Sequence, residues 1–91
     1  MLGFFRKKIP VTVTIKLFSG IHRELNIEAY DLGKGLIIQT YNGVKLRTVL
    51  KEIGVKNKSA ISYFLNSKRI SLGTRLKDGD EVSCLKPSGG G

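Results

Sequence analysis

Cysteine is almost absent from this chain: Cys84 is the only one among 91 residues. A lone thiol closes no internal disulfide and has no second thiol for a redox or zinc pair, so a cytoplasmic setting is expected. Within Glu81-Val82-Ser83-Cys84-Leu85 it reads as a small buried hydrophobe rather than a reactive group. Tryptophan is missing, and the single histidine, His22, has no Cys or His at ligand spacing. It reads as a surface loop residue and not as a metal ligand. No apolar run approaches the roughly 20 residues a membrane span needs. The opening Met1-Leu2-Gly3-Phe4-Phe5-Arg6-Lys7-Lys8 places its basic residues after its short apolar part, the wrong order for a secretory signal. Residues 1–9 are therefore expected to form a flexible basic extension, with no membrane partner.

Catalytic and nucleotide-binding signatures are lacking too. Gly33-Lys34-Gly35 has neither the spacing nor the Lys-Ser/Thr ending of a phosphate-binding loop. Asp78, Asp80 and Glu81 share a turn, where solvation and turn hydrogen bonds account for them without a paired-carboxylate site. Acidic residues are scarce overall, seven Asp and Glu against sixteen Lys and Arg, which leaves a formal charge of +9. Such a field attracts nucleic acids, anionic membranes and acidic proteins alike. The cations are scattered, and no RNA-binding aromatic motif or Arg-rich run accompanies them, so an acidic protein is the partner they favour.

What is present describes one small domain over residues 10–87. A chain of this length buries only about 60 to 65 per cent of its unfolded surface, which suits a docking body better than a deep cofactor cleft. From Val11 to Leu17 apolar and polar residues alternate, the pattern of a half-buried strand. Ile21 to Gly35 is ambiguous: Leu25, Ile27 and Ala29 alternate like a strand, whereas Ile21 with Leu25 fits one helical turn. Gly35 to Tyr41 is rich in β-formers and stops at Asn42-Gly43, a turn dipeptide. Leu46, Val49, Leu50 and Ile53 then make the apolar stripe of a short helix closed by Gly54, with Lys45, Arg47 and Lys51 on its wet face. Ile61 to Asn66 reads as a third strand, Ser67-Lys68-Arg69 as a turn into a short extended piece, and Glu81 to Lys86 as the last strand. The order β, β, α, β, β predicts an α+β domain, a mixed sheet of about four strands with one main helix across it.

The chain closes on Pro87-Ser88-Gly89-Gly90-Gly91. Glycine reaches backbone angles closed to other residues and lies flat in a channel too narrow for side chains. Residues 88–91, fully stretched, reach roughly 13 to 14 Å. A terminal carboxylate, ionised at neutral pH, could thus enter a partner's pocket while the folded body stays outside.

The run Leu76-Lys77-Asp78-Gly79-Asp80-Glu81-Val82, then a short strand, Pro87 and Gly90-Gly91, closely resembles the ending of the β-grasp sulfur carriers, the MoaD/ThiS family of ubiquitin-like proteins. The resemblance covers roughly residues 10–91. It implies that Gly91 is the acceptor: a ubiquitin-activating-type adenylyltransferase, using ATP and Mg²⁺, turns its carboxylate into an acyl adenylate, and a sulfur donor protein converts that to a thiocarboxylate. Gly89 and Gly90 would thread the partner's channel, and the chain itself would bind no cofactor and act as carrier rather than enzyme. Pro87 shortly before the glycines favours the small subunit of molybdopterin synthase, whose partner is the large subunit, over a thiamine carrier serving thiazole synthase. The resemblance also allows a protein modifier acting through the same terminus. The exposed side of the last and first strands, with Phe18, Leu85 and Pro87, is the docking surface expected. Three features depart from the family: the long Ile21 to Gly35 connection, the basic N-terminal extension, and Lys45 where a helix-capping Thr is usual.

Two other readings compete. A β-grasp nucleic-acid-binding or regulatory module would use Lys56, Lys58, Lys68 and Arg69 as phosphate contacts. A thiol enzyme would use Cys84, although no activating His lies nearby in sequence.

Overall fold

A computed structural model describes residues 8–27 and 29–87. Five strands form a single mixed sheet: β1 Pro10–Leu17, β2 Leu36–Tyr41, β3 Ser62–Leu65, β4 Lys68–Ile70 and β5 Glu81–Leu85, in the order β2-β1-β5-β3-β4. Helix α2, Leu46–Ile53, follows β2, and a one-turn helix α1, Ile21–Glu24, follows β1. The neighbours β1 and β5 run parallel; all other strand pairs are antiparallel.

Alternation along β1 decides which face is dry. Val11, Val13, Ile15 and Leu17 point inward, and β5 adds Val82 and Cys84 in register, Ile15 opposite Val82 and Leu17 opposite Cys84. The stripe of α2 covers this face: Leu46, Val49 and Leu50 are all 0% exposed. No buried polar or charged side chain interrupts this core among the described residues. Apolar burial is thus the main force holding the helix to the sheet.

The expected capping deficit at Lys45 is met in another way. Its side chain makes no cap hydrogen bond. Instead the first helical N–H groups, those of Leu46 and Arg47, donate to the carbonyls of Thr74 and Leu72, both at 2.9 Å. A loop far along the chain thereby satisfies donors that a helix start otherwise leaves orphaned. At the other end Gly54 closes the helix with φ 96°, as its position suggested.

The structure departs from the expected strand count. Lys68–Ile70 is a true strand, so the sheet has five strands rather than about four. The reversal falls at Asn66-Ser67, not Ser67-Lys68-Arg69: both residues are left-handed, φ 53° and 65°, the conformation of a two-residue hairpin turn.

The Ile21 to Gly35 connection opens as the helical turn α1. Leu25, Ile27 and Tyr30 then pack against the core, and the Tyr30 hydroxyl accepts the Leu17 N–H at 2.6 Å. His22 is accordingly no surface loop residue: it sits on α1, half-buried, stacked on Tyr30 with ring centroids 4.9 Å apart. The connection rejoins the sheet through Gly35, φ 70°, where a Cβ would stand 2.9 Å from Thr14 Cγ2. Only glycine fits there without displacing β1.

Candidate functional site

The sheet's second face has no helix over it among the described residues. Strand alternation places Thr12, Thr14 and Lys16 of β1, Ser83 and Leu85 of β5, and Phe64 of β3 on this outer face, with Phe64 opposite Ser83 and Lys16 beside Ser83. Phe18 continues the outer row just beyond β1, held by its N–H donating to the Cys84 carbonyl at 2.9 Å. The parallel pairing of β1 and β5 brings the ends of both strands together, so Phe18 and Leu85 arrive at the same edge of the face.

Between them lies an open depression of about 690 Å³ lined by Phe18, Phe64, Ser83 and Leu85. Its rim at the start of β5 carries Asp78, Asp80 and Glu81. These carboxylates have local partners. Asp78 Oδ1 accepts the Thr12 N–H and Asp80 Oδ2 the Lys77 N–H, each at 2.8 Å, and Glu81 pairs with Lys16 at 3.1 Å. The excess of positive charge therefore does not fall here, although the chain as a whole is strongly basic. Exposed Lys45, Arg47 and Lys51 lie on the helix side instead.

Beyond Leu85 the chain is tied down before it leaves the fold. The Lys86 N–H donates to Ser19 Oγ at 3.3 Å, and the Lys86 ammonium pairs with Glu24 of α1. Pro87 is exposed and is the last residue described. Gly89, Gly90 and Gly91, the expected reacting segment, lie outside the described residues, as does the extension before Lys8. Phe18 and Leu85 are brought together as half-buried side chains, and Pro87 stands two residues past Leu85 at the root of the tail.

Sequence reasoning passed over Phe64, Ser19 and Glu24. Phe64 follows Tyr63, and two adjacent aromatics in a strand give no hint of which one faces inward. In the structure Tyr63 is the buried one, and its hydroxyl donates to the Lys58 carbonyl at 2.9 Å. Ser19 and Glu24 act through contacts made across 67 and 62 positions of sequence, respectively, for which no local pattern exists.

The competing residues are not assembled for chemistry. Cys84 is 0% exposed, and burial pushes its thiol up to about 12 from the usual 9.0. A thiolate nucleophile is thereby suppressed at neutral pH. Tyr63 beside it is also pushed up to about 12, first by burial and then by the neighbouring Cys84. Of the four cations suited to phosphate contacts, Lys58 donates to the Val55 carbonyl at 2.9 Å; Lys68 and Arg69 are exposed on β4, and Lys56 is exposed in the loop after α2. Among the described residues no three His, Cys, Asp or Glu side chains gather as metal ligands, and no helix is long and apolar enough to cross a membrane.

At the level of sequence the chain matches no family model and no curated protein. Solved structures are similar to it in shape. A Pyrococcus furiosus protein described as molybdopterin converting factor, subunit 1, superposes with TM-score 0.63 at 20% identity, over 85% of this chain and 98% of that one. SAMP1 from Haloferax volcanii superposes at 0.65 with 16% identity, over 88% and 99%. The ubiquitin-like domain of an Arabidopsis thaliana protein gives 0.59 at 10% identity, over 96% and 88%. Five strands in the order β2-β1-β5-β3-β4, one main helix across the inner face, and these neighbours together show that the chain has the ubiquitin-like β-grasp fold.

Proposed function

We propose that this β-grasp domain is a sulfur carrier whose terminal Gly91 carboxylate is activated as an acyl adenylate and converted to a thiocarboxylate. One observation carries the reading. The last strand, β5, is central in the sheet and ends beside the Phe18, Phe64 and Leu85 depression, and Gly89-Gly90-Gly91 follows it within six residues of sequence. Its similarity in shape to molybdopterin converting factor subunit 1 and to SAMP1 agrees with that use.

The chemistry asks little of the carrier. In an adenylyltransferase the carboxylate attacks the α-phosphorus of ATP and pyrophosphate departs. The resulting mixed anhydride has lost the carboxylate's resonance protection, so a sulfur nucleophile attacks its carbonyl and AMP leaves as a stable anion. The Mg²⁺ and the cationic groups that stabilise the phosphoryl charge belong to the partner. This chain contributes a slim end, a root fixed by Ser19 and Glu24, and an apolar face for docking. The adenylyltransferase, a sulfur donor protein and a sulfur-accepting enzyme are the partners this implies. The molybdopterin synthase large subunit is favoured for the last role by Pro87 and by the first of the structural neighbours.

The test is intact-protein mass spectrometry after incubation with ATP, Mg²⁺, the adenylyltransferase and a sulfide source. A gain equal to one oxygen-to-sulfur exchange at Gly91 is expected. Deleting Gly90 and Gly91 should abolish it and leave the thermal midpoint unchanged. Activation of the shortened chain at its new end would refute the assignment.

A further inference from the structure

Strands β3 and β4 pair only as far as Tyr63 and Ile70. Beyond that pair the two segments part. The chain ahead of β3 runs back through Ile61 to a single 3-10 turn, Lys58–Ala60. The chain after β4 bends at Ser71, whose N–H donates to Thr74 Oγ1 at 3.1 Å, and the Leu72 carbonyl is held by the Arg47 N–H at the start of α2. The fork leaves an open pocket of about 270 Å³ that shares no lining residue with the larger depression around Phe18 and Phe64.

Two cations from different elements, Lys58 and Arg69, line this pocket together with the hydroxyls of Ser59 and Ser62. Lys58 is fixed at both ends: its ammonium donates to the Val55 carbonyl and its own carbonyl accepts from the Tyr63 hydroxyl, each at 2.9 Å. An ammonium has three N–H donors, so two remain for a ligand. Among the described residues the Ser59 and Ser62 hydroxyls make no hydrogen bond within the protein and are free to donate. The floor is apolar, with Ile61 7% exposed and Ile70 half-buried.

The acids of the chain are engaged elsewhere or turned away. Among the described residues none lines the pocket. Glu81 shares the outer face with Arg69 but pairs with Lys16. Asp78 and Asp80 accept the main-chain N–H groups of Thr12 and Lys77. Glu52, the acid nearest to Lys58 in sequence, is exposed in the last turn of α2 and is in neither of the ion pairs found among the described residues. Two positive charges thus face a cavity that holds donors and no opposing carboxylate.

We propose that this fork binds a small phosphomonoester, its dianionic phosphate on Lys58, Arg69 and the two serine hydroxyls and a compact apolar group on the Ile61 and Ile70 floor. A phosphate meets two cations with two charges and presents three oxygens to the donors, whereas a carboxylate has one charge and two oxygens. The volume lies just under the roughly 300 Å³ at which ligand pockets begin, which suits a phosphate with one ring attached and nothing larger. A nucleic-acid strand is the wrong occupant: Lys56 and Lys68 do not line the pocket, so no row of cations follows a backbone through it. The inference stands apart from sulfur transfer, since it uses no residue of the tail or of the Phe18 face.

The test is titration of the isotope-labelled full chain with phenyl phosphate at about pH 8, above the second phosphate pKa of about 6. Saturable amide shifts at residues 59–62 and 69–72 are expected, with a dissociation constant below about 1 mM. Inorganic phosphate, which leaves the apolar floor empty, should bind at least about ten-fold more weakly, and phenol should not bind. Arg69→Glu should abolish the shifts without lowering the thermal midpoint. Lys68→Glu makes the same change of charge outside the pocket and should weaken binding less than about three-fold. Deleting Gly90 and Gly91 should change nothing. Shifts that do not saturate, equal affinity for inorganic phosphate, or as large a loss in Lys68→Glu as in Arg69→Glu would each overturn the proposal. A capped phosphotyrosine peptide or an oligoribonucleotide that binds at least about ten-fold more tightly than phenyl phosphate would overturn it too, by giving the site to a macromolecule.

Discussion

The two faces of this sheet are made from the same strands yet serve opposite ends. On the inner face Val13, Ile15, Leu46, Val49, Leu50, Val82 and Cys84 are closed to solvent under α2. On the outer face Phe18, Phe64 and Leu85 remain half-open around a depression with an acidic rim. A fold this small has apolar surface enough for one sealed core, and what is left over on the second face is free to meet a partner. Stability and recognition are thereby separated by a single step along each strand.

That separation can be broken most forcefully from the inside. Leu50→Ala deletes a side chain with no exposure at the centre of the helix stripe and should cost about 2 to 5 kcal/mol, a large share of what so small a domain possesses. Chemical denaturation measures the loss. A cost below about 1 kcal/mol would mean that the helix does not seal the inner face.

A gentler challenge to the same face is alkali. Both Cys84 and Tyr63 are held protonated by burial, with folded values of about 12 against ordinary values of 9.0 and 10.0. Each folded value is raised, so the stability is fully present below the ordinary value and is lost as pH climbs from there toward 12, where the unfolded chain has shed protons the native one keeps. Each group should contribute a slope of about 1.4 kcal/mol per pH unit in its window. Cys84→Ala should begin less stable yet show a shallower decline between pH 9 and 11. Parallel declines in the two proteins would show that Cys84 is not withheld from solvent.

The smallest effect on stability belongs to the outer face. Phe18→Ser combined with Phe64→Ser should shift unfolding by about 1 kcal/mol or less per site while raising the KM of the proposed adenylyltransferase for this chain at least about ten-fold. Unchanged KM in a folded double variant would remove this face from docking and leave the tail as the sole element recognised.

Much of the inner face was legible from residue order. The alternation from Val11 to Leu17 and the stripe of Leu46, Val49, Leu50 and Ile53 each carry their period openly, and Asn42-Gly43 and Gly54 mark boundaries that the structure keeps. The ending that resembles the sulfur carriers pointed to the fold the structure has. What stayed hidden depends on contacts between distant segments. Lys68–Ile70 is too short to show a period, and its strand character comes from pairing with β3. The N-terminus of α2 is capped by carbonyls at positions 72 and 74, which no reading of Lys45 reveals. His22 is half-buried because Tyr30 returns to stack on it.

The docking depression borrows one wall from the end of β1, another from β3 and a third from β5, and β1 meets β5 across a separation in which Thr14 stands beside Glu81. Closure of such a distant pair is a late and slow event for a short polypeptide. Misassembled or half-translated molecules hence lack the surface altogether, so an activating enzyme of the kind proposed, in gripping it, would inspect its cargo for completed folding before committing a nucleotide to it.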